Sequence, residues 1–163
     1  MSAPAAGAPV EQAEACPDPL PDRPSFAPGV RDAVLAGAAG LDRWTGGPLP
    51  AAWQVDHVLA WREALCSGLA VGERHAFYSY APNLAATASA VNAAKSDWGP
   101  GSCREPAARR ATGSCPGGGW TPPDQSARCW FAVTWLATKA RFALGVDPEE
   151  AAQLTAERAR CGE

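Results

Sequence analysis

Two short stretches carry the residue types that a reaction would need. Asp56 and His57 adjoin inside the apolar run WQVDHVLAW of residues 53–61, and Asn92 and Lys95 lie in VNAAKSDWGP, residues 91–100. A charge placed in an apolar run is costly unless something uses it, so the two stretches are expected to serve one site. The imidazole of His57 suits a general base, because its unperturbed pKa lies near neutrality. Asp56 and Asn92 offer hard oxygens to a divalent ion such as Mg²⁺, which keeps several waters and needs only one or two protein ligands. A base to activate water, with a cation to stabilise charge on phosphate and leaving oxygen, is what phosphodiester hydrolysis requires. In a regular strand Asp56 and His57 point to opposite faces. The strand end is therefore expected to twist or bulge, or the ion to sit at its edge.

The elements that must position these residues follow from periodicity and punctuation. Residues 53–58 read as a short strand, with Trp53, Val55 and His57 on one face and Gln54, Asp56 and Val58 on the other. Residues 81–87, after a proline break, read as a second strand carrying Asn83. Residues 89–94 form one or two helical turns that bring Asn92 and stop at DWGP. Between the strands, residues 61–67 and 72–80 look helical; before them, so do residues 29–39. His75 reads as a surface helix residue. Residues 101–119 form an irregular insertion with Cys103, Cys115 and three consecutive glycines. Asp124 is placed to cap a helix over 125–144, with Phe131, Trp135, Thr138 and Phe142 on one stripe and Gly145 ending it. Asp147, Pro148 and Glu150 then make a second start, with cap, first-turn proline and glutamate in place, for a helix reaching Arg160. The two helices pair as a hairpin over 125–161. Trp130 and Trp135 read as core.

Size and charge narrow the field. The 163 residues suit one domain, residues 29–163, after a Pro- and Ala-rich arm at 1–28. A net charge of −3 excludes a uniformly basic nucleic-acid binder. The charge is uneven, however: residues 101–141 carry six basic and two acidic side chains, and the first fifty carry three basic and six acidic. No apolar run is long enough to span a membrane. The chain has six cysteines and no Cys-x-x-Cys pair, which argues against a zinc ribbon. Three disulfides, and so an oxidising, extracytoplasmic home, are the simplest reading; six reduced buried thiols are the other. The opening MSAPAAGAPV has neither basic nor apolar signal regions, so a signal is expected to have been removed before this numbering begins.

The order of strand with Asp56-His57, strand with Asn83 and helix with Asn92 is the logic of a ββα-metal nuclease, and the residues resemble the HNH endonuclease family. The likeness is to the branch of small secreted bacterial HNH proteins related to the C-terminal domain of modification-dependent restriction enzymes. It rests on DHVLAW, on REAL with Glu63, on PNL with Asn83, on NAAKSD with Asn92, Lys95 and Asp97, on WTPP from Trp120 and on WLATKARFALGVD from Trp135. It runs over residues 53–161 with the motifs in order. It implies an α+β fold with a ββα core at 53–97, elaborated by further helices and the hairpin. It implies His57 as general base, Asp56 and Asn92 as ligands of Mg²⁺ (or Mn²⁺), Asn83 as holder of the loop bearing the histidine, and Lys95 against phosphate; Glu63 matches a position to which no role is given. Three departures stand out. Leu59-Ala60-Trp61 replaces the usual Val-Pro-Leu, Ser96 stands where glycine is usual, and residues 101–119 lengthen a loop. Arg104, Arg109 and Arg110 in that loop would track a phosphate backbone beside a nuclease cleft, or else form a solvated loop.

The expected protein is then a monomeric, metal-dependent endonuclease acting on DNA with little sequence preference. The competing expectation, motivated by the altered loop and the acidic charge, is an inactive, disulfide-stapled interaction module on the same fold. Among the cysteines, an antiparallel hairpin sets Cys129 beside Cys161. Cys103 and Cys115 bracket the insertion as a local pair. Cys16 and Cys66 remain, tying the arm to the helix after the first strand; six cysteines allow fifteen pairings.

Overall fold

A computed structural model describes residues 16–100 and 120–162. The insertion at 101–119, with the expected Cys103–Cys115 pair and Arg104, Arg109 and Arg110, lies outside the described residues. So do the first fifteen residues of the arm. The elements run α1 (Val30–Ala38), β1 (Trp53–His57), α2 (Trp61–Cys66), a 3₁₀ turn (Val71–Glu73), α3 (Arg74–Tyr78), a 3₁₀ turn (Ala81–Asn83), β2 (Leu84–Ala88), α4 (Ser89–Lys95), α5 (Gln125–Arg141) and α6 (Pro148–Arg160). The fold is mixed α+β.

β1 and β2 form a two-stranded antiparallel sheet in unbroken register from Trp53 opposite Ala88 to His57 opposite Leu84. β2 begins three residues later than expected, because Ala81-Pro82-Asn83 tighten into a 3₁₀ turn with proline in its first positions. The small side chains of Ala85, Ala86, Thr87 and Ala88 on β2 let other elements approach it closely. One is the loop after α1, where Arg43 N donates to Ala86 O (3.1 Å). Asp42 secures this loop: Oδ1 accepts from Trp44 N (2.9 Å) and Thr45 N (3.1 Å), while Oδ2 accepts from Thr87 Oγ1 (2.9 Å) and Ala88 N (2.7 Å). Trp44 is thereby set into the core, fully buried, edge-on to Phe131 with centroids 5.0 Å apart.

α5 lays its stripe of Phe131, Trp135 and Thr138 into that core, and Phe142 follows just past its end. The expected caps are in place: Asp124 accepts from Ser126 N (2.9 Å) and Asp147 from Glu150 N (2.8 Å). Cys129–Cys161 closes the α5–α6 hairpin across 32 residues, worth about 3–4 kcal/mol in the chain-entropy account. Cys16–Cys66 ties the chain before α1 to α2. Both bridges suit an oxidising environment. Among the described residues, no helix is long and apolar enough to cross a membrane.

Candidate active site

The site begins with a match of spacings. Gln54 and Asp56 share the face of β1 turned to α4, and residues three apart on α4 meet them in turn. Asn92 Nδ2 donates to Gln54 Oε1 (2.8 Å), and Lys95 Nζ donates to Asp56 Oδ1 (3.1 Å). Two residues along a strand advance the chain by nearly the same length as three along a helix, so two successive rungs stay in step. Lys95 also donates to His57 O (2.9 Å) and is completely buried, with its ammonium 5.7 Å from the ring centres of both Trp44 and Phe131. The expected contact of Lys95 with phosphate is therefore not what this arrangement provides. Its ammonium points inward, drawn by the Asp56 carboxylate.

Asp56 is 4% exposed, and both its oxygens are engaged: Oδ2 accepts from Trp44 Nε1 (2.8 Å), Oδ1 from Lys95. Burial raises its pKa above the ordinary carboxylate value, and Lys95 and the Trp44 N–H offset this only in part. His57 projects to the other side of β1. Its ring lies nearly parallel to those of Phe26 and Phe77, with centroids 5.7 and 6.0 Å away, and 4.5 Å from Tyr78. Nε2 stands 2.9 Å from Tyr78 O. A carbonyl can only accept, so Nε2 carries the proton and Nδ1 keeps the lone pair. Burial lowers the pKa of His57 to about 4; the Tyr78 carbonyl works against this, and the positive charges of Lys95 and Arg23 add to it. The imidazole is therefore neutral at neutral pH.

No bulge or sharp twist joins Asp56 and His57; β1 stays regular through both. They meet instead along the strand's unpaired edge. A cleft of about 350 Å³ is lined there by the consecutive residues Gln54, Val55, Asp56 and His57, with Asn92 and Asp97 from one side and Arg23, Phe26 and Tyr78 from the other. Side chains from both faces of a strand share one cleft only at its edge.

The loop after β1 is held by Asn83, itself fully buried. Asn83 Oδ1 accepts from Leu59 N (2.8 Å) and Nδ2 donates to Leu59 O (3.1 Å), while Val58 N donates to Asn83 O (2.8 Å). Both backbone groups of Leu59 are thus satisfied inside the core, as buried groups must be. Ala60 has φ −61°, close to the value a proline would fix, so the loop keeps that turn without the ring. Ser96, by contrast, sits at φ 50°, ψ −128°. A side chain in such a conformation costs about 1–3 kcal/mol, which a glycine would avoid. Glu63 does not line the cleft. Its carboxylate, fully buried, accepts from Lys139 Nζ (3.1 Å), which binds the expected helix α2 to α5.

A divalent ion can be tested against these donors. The cleft offers the Asp56 carboxylate, with one hydrogen bond on each oxygen and a second lone pair on each, and the Asn92 side-chain oxygen, which accepts no hydrogen bond among the described residues. Two hard oxygens fit an ion that keeps most of its waters. Lys95 already balances the charge of Asp56, so such an ion competes with an ammonium.

Sequence reasoning missed three contributors. Trp44 was hidden because it is twelve residues from the aspartate it supports; the run Asp42-Arg43-Trp44-Thr45-Gly46-Gly47, a signature of a side-chain-capped turn, could have flagged it. Tyr78 acts through its carbonyl, which leaves no trace in residue identity. The described part of the arm, residues 16–28, lies on the site: Ala27 N donates to Ser79 Oγ (2.8 Å), and Phe26 faces His57 and Tyr78. Comparison of the chain with family models, with curated proteins and with solved structures returns no match.

Proposed function

We propose that the protein is an HNH-type endonuclease that hydrolyses phosphodiester bonds, with DNA as the substrate. The observation that carries this reading is His57. It is a neutral imidazole whose protonated nitrogen is committed to the Tyr78 carbonyl, and it lines the same cleft as two oxygen donors on the adjoining strand face and helix. His57 Nδ1 is the lone pair that takes a proton from water. Tyr78 O fixes the tautomer, and Asn83 holds the loop that follows the histidine. Asp56 and Asn92 would hold a divalent ion, Mg²⁺ or Mn²⁺, which when bound supplies charge stabilisation to phosphate and leaving oxygen. The order of two antiparallel strands and a helix packed on them supports the ββα reading. The two disulfides support release from the cytoplasm.

One observation favours the inactive interaction module: the Asp56 carboxylate already has its cation in Lys95. Against it stands the cleft itself, which has room for a phosphate and keeps His57 at its wall. Nicking of supercoiled plasmid with Mg²⁺ or Mn²⁺ separates the readings. Wild type is expected to cut and His57→Ala to lose about 10²-fold or more of the rate. Equal cutting by both proteins, or none by either in any metal, would leave the module reading.

A further inference from the structure

The cleft holds more donors than its own acceptors can use. Arg23 and Arg62 both line it, and neither makes an ion pair among the described residues. The Nε–H of Arg62 is buried without an acceptor. So is the Nε1–H of Trp61, a residue that lines the same cleft at 6% exposure. A buried donor left unmatched costs about 1–3 kcal/mol, and native structures keep few of them. The acids of the cleft do not answer these donors. Asp56 is taken by Lys95 and Trp44, and Asp97 accepts from Ser96 Oγ (3.2 Å).

We propose that Arg23, Arg62 and the Trp61 N–H form the subsite that grips a backbone phosphate of the nucleic acid, the role that the family resemblance had implied for Lys95. This rests on the endonuclease reading for the identity of the ligand. The chemistry is direct: a phosphodiester is rich in acceptors and carries one negative charge, and guanidinium groups bind it through paired hydrogen bonds. The two arginines come from segments far apart in sequence, and the Cys16–Cys66 bridge joins those segments. Cys66 is one helical turn beyond Arg62 on α2, and Cys16 anchors the strand of chain that carries Arg23 and Phe26 to the cleft. The bridge thus adds a covalent tether to the contacts of Ala27 with Ser79 and of Phe26 with His57 that already hold this segment at the cleft.

The test is equilibrium binding of a short labelled DNA duplex to oxidised, full-length His57→Ala protein in EDTA, as a function of NaCl, beside plasmid nicking by wild type. Arg23→Ala and Arg62→Gln are each expected to weaken binding about tenfold and to lower the salt slope by about one, and the double variant by about two. Cys16→Ser/Cys66→Ser is expected to lose part of what Arg23→Ala loses, and adding Arg23→Ala to it to cost less than it does in the bridged protein. Arg62→Lys guards against misfolding, since it should keep the slope and lose part of the affinity. Unchanged affinity and slope in Arg23→Ala and Arg62→Gln overturn the subsite, whether or not wild type nicks plasmid. The same follows if the His57→Ala protein binds no DNA. An arginine-dependent slope without nicking in any metal sustains the subsite and removes the endonuclease.

Discussion

Lys95 and Lys139 are both buried, at 0% and 1% exposure, yet they sit in different company. Lys139 Nζ reaches Glu63 Oε1 (3.1 Å), Glu150 Oε2 (2.7 Å), Ser67 Oγ (2.9 Å) and Gly145 O (2.8 Å), so that α2, α5 and the start of α6 are tied at one point. Trp135 Nε1 adds a further donor to Glu150. Among the described residues Lys95 pairs with a single carboxylate, Asp56, and that carboxylate lines the cleft. An ammonium between two buried carboxylates in the middle of three helices holds the fold together. An ammonium on one carboxylate at a cleft wall balances a charge that something else can reach. The difference separates a lysine that ties helices together from one that balances a single carboxylate at a cleft wall.

Removing the centre of the larger network should have the greatest effect. Lys139→Met takes this ammonium from two buried carboxylates and is expected to lower stability by about 3–5 kcal/mol, read by urea unfolding. Acid offers a second contrast, confined to the cleft. His57 has a folded pKa of about 4, below its unfolded value near 6.5. Its contribution is therefore complete above pH 6.5 and is lost as pH falls through 4, by up to about 3 kcal/mol. Asp56 acts with opposite sign: its raised pKa means that its charge costs stability, a cost relieved on acidification. Subtracting the pH–stability curve of His57→Gln from that of wild type isolates the histidine. A difference that stays flat between pH 6.5 and 4 would show that the ring is solvated and not held as described. Lys95→Met comes third, at about 2 kcal/mol, because Asp56 keeps its Trp44 bond and can draw water from the cleft. A loss equal to that of Lys139→Met would erase the distinction.

How much of this was readable in the sequence follows the range of each interaction. The caps at Asp124 and Asp147 and the stripe Phe131-Trp135-Thr138 are local patterns, and they lie where periodicity put them. The bridges Cys16–Cys66 and Cys129–Cys161 were legible once the hairpin and the arm were placed. Asn83 was singled out on the family resemblance, and it bonds both backbone groups of Leu59. The direction of Lys95 was not legible. A lysine at the end of a short helix ordinarily faces water, and only the pairing of α4 with β1 turns this one inward. Lys139 was passed over for the same reason: its carboxylates are 76 and 11 residues away in sequence. The arm was read from its prolines and alanines as loose, and composition gave no sign that Phe26 rests on His57.

The claim that most of this depends on is that a second cation can take the place of Lys95 on Asp56, whereas nothing can replace Lys139. Thermal unfolding of Lys95→Met and Lys139→Met, each with and without Mg²⁺ at neutral pH, measures it directly. Binding to the folded state at about ten times Kd contributes about 1.4 kcal/mol, or roughly 3–5 °C in Tm for a chain of this size. The account predicts a rise of that order in Lys95→Met, larger than in wild type, and none in Lys139→Met. No response to Mg²⁺ in Lys95→Met, or equal responses in both variants, would contradict it.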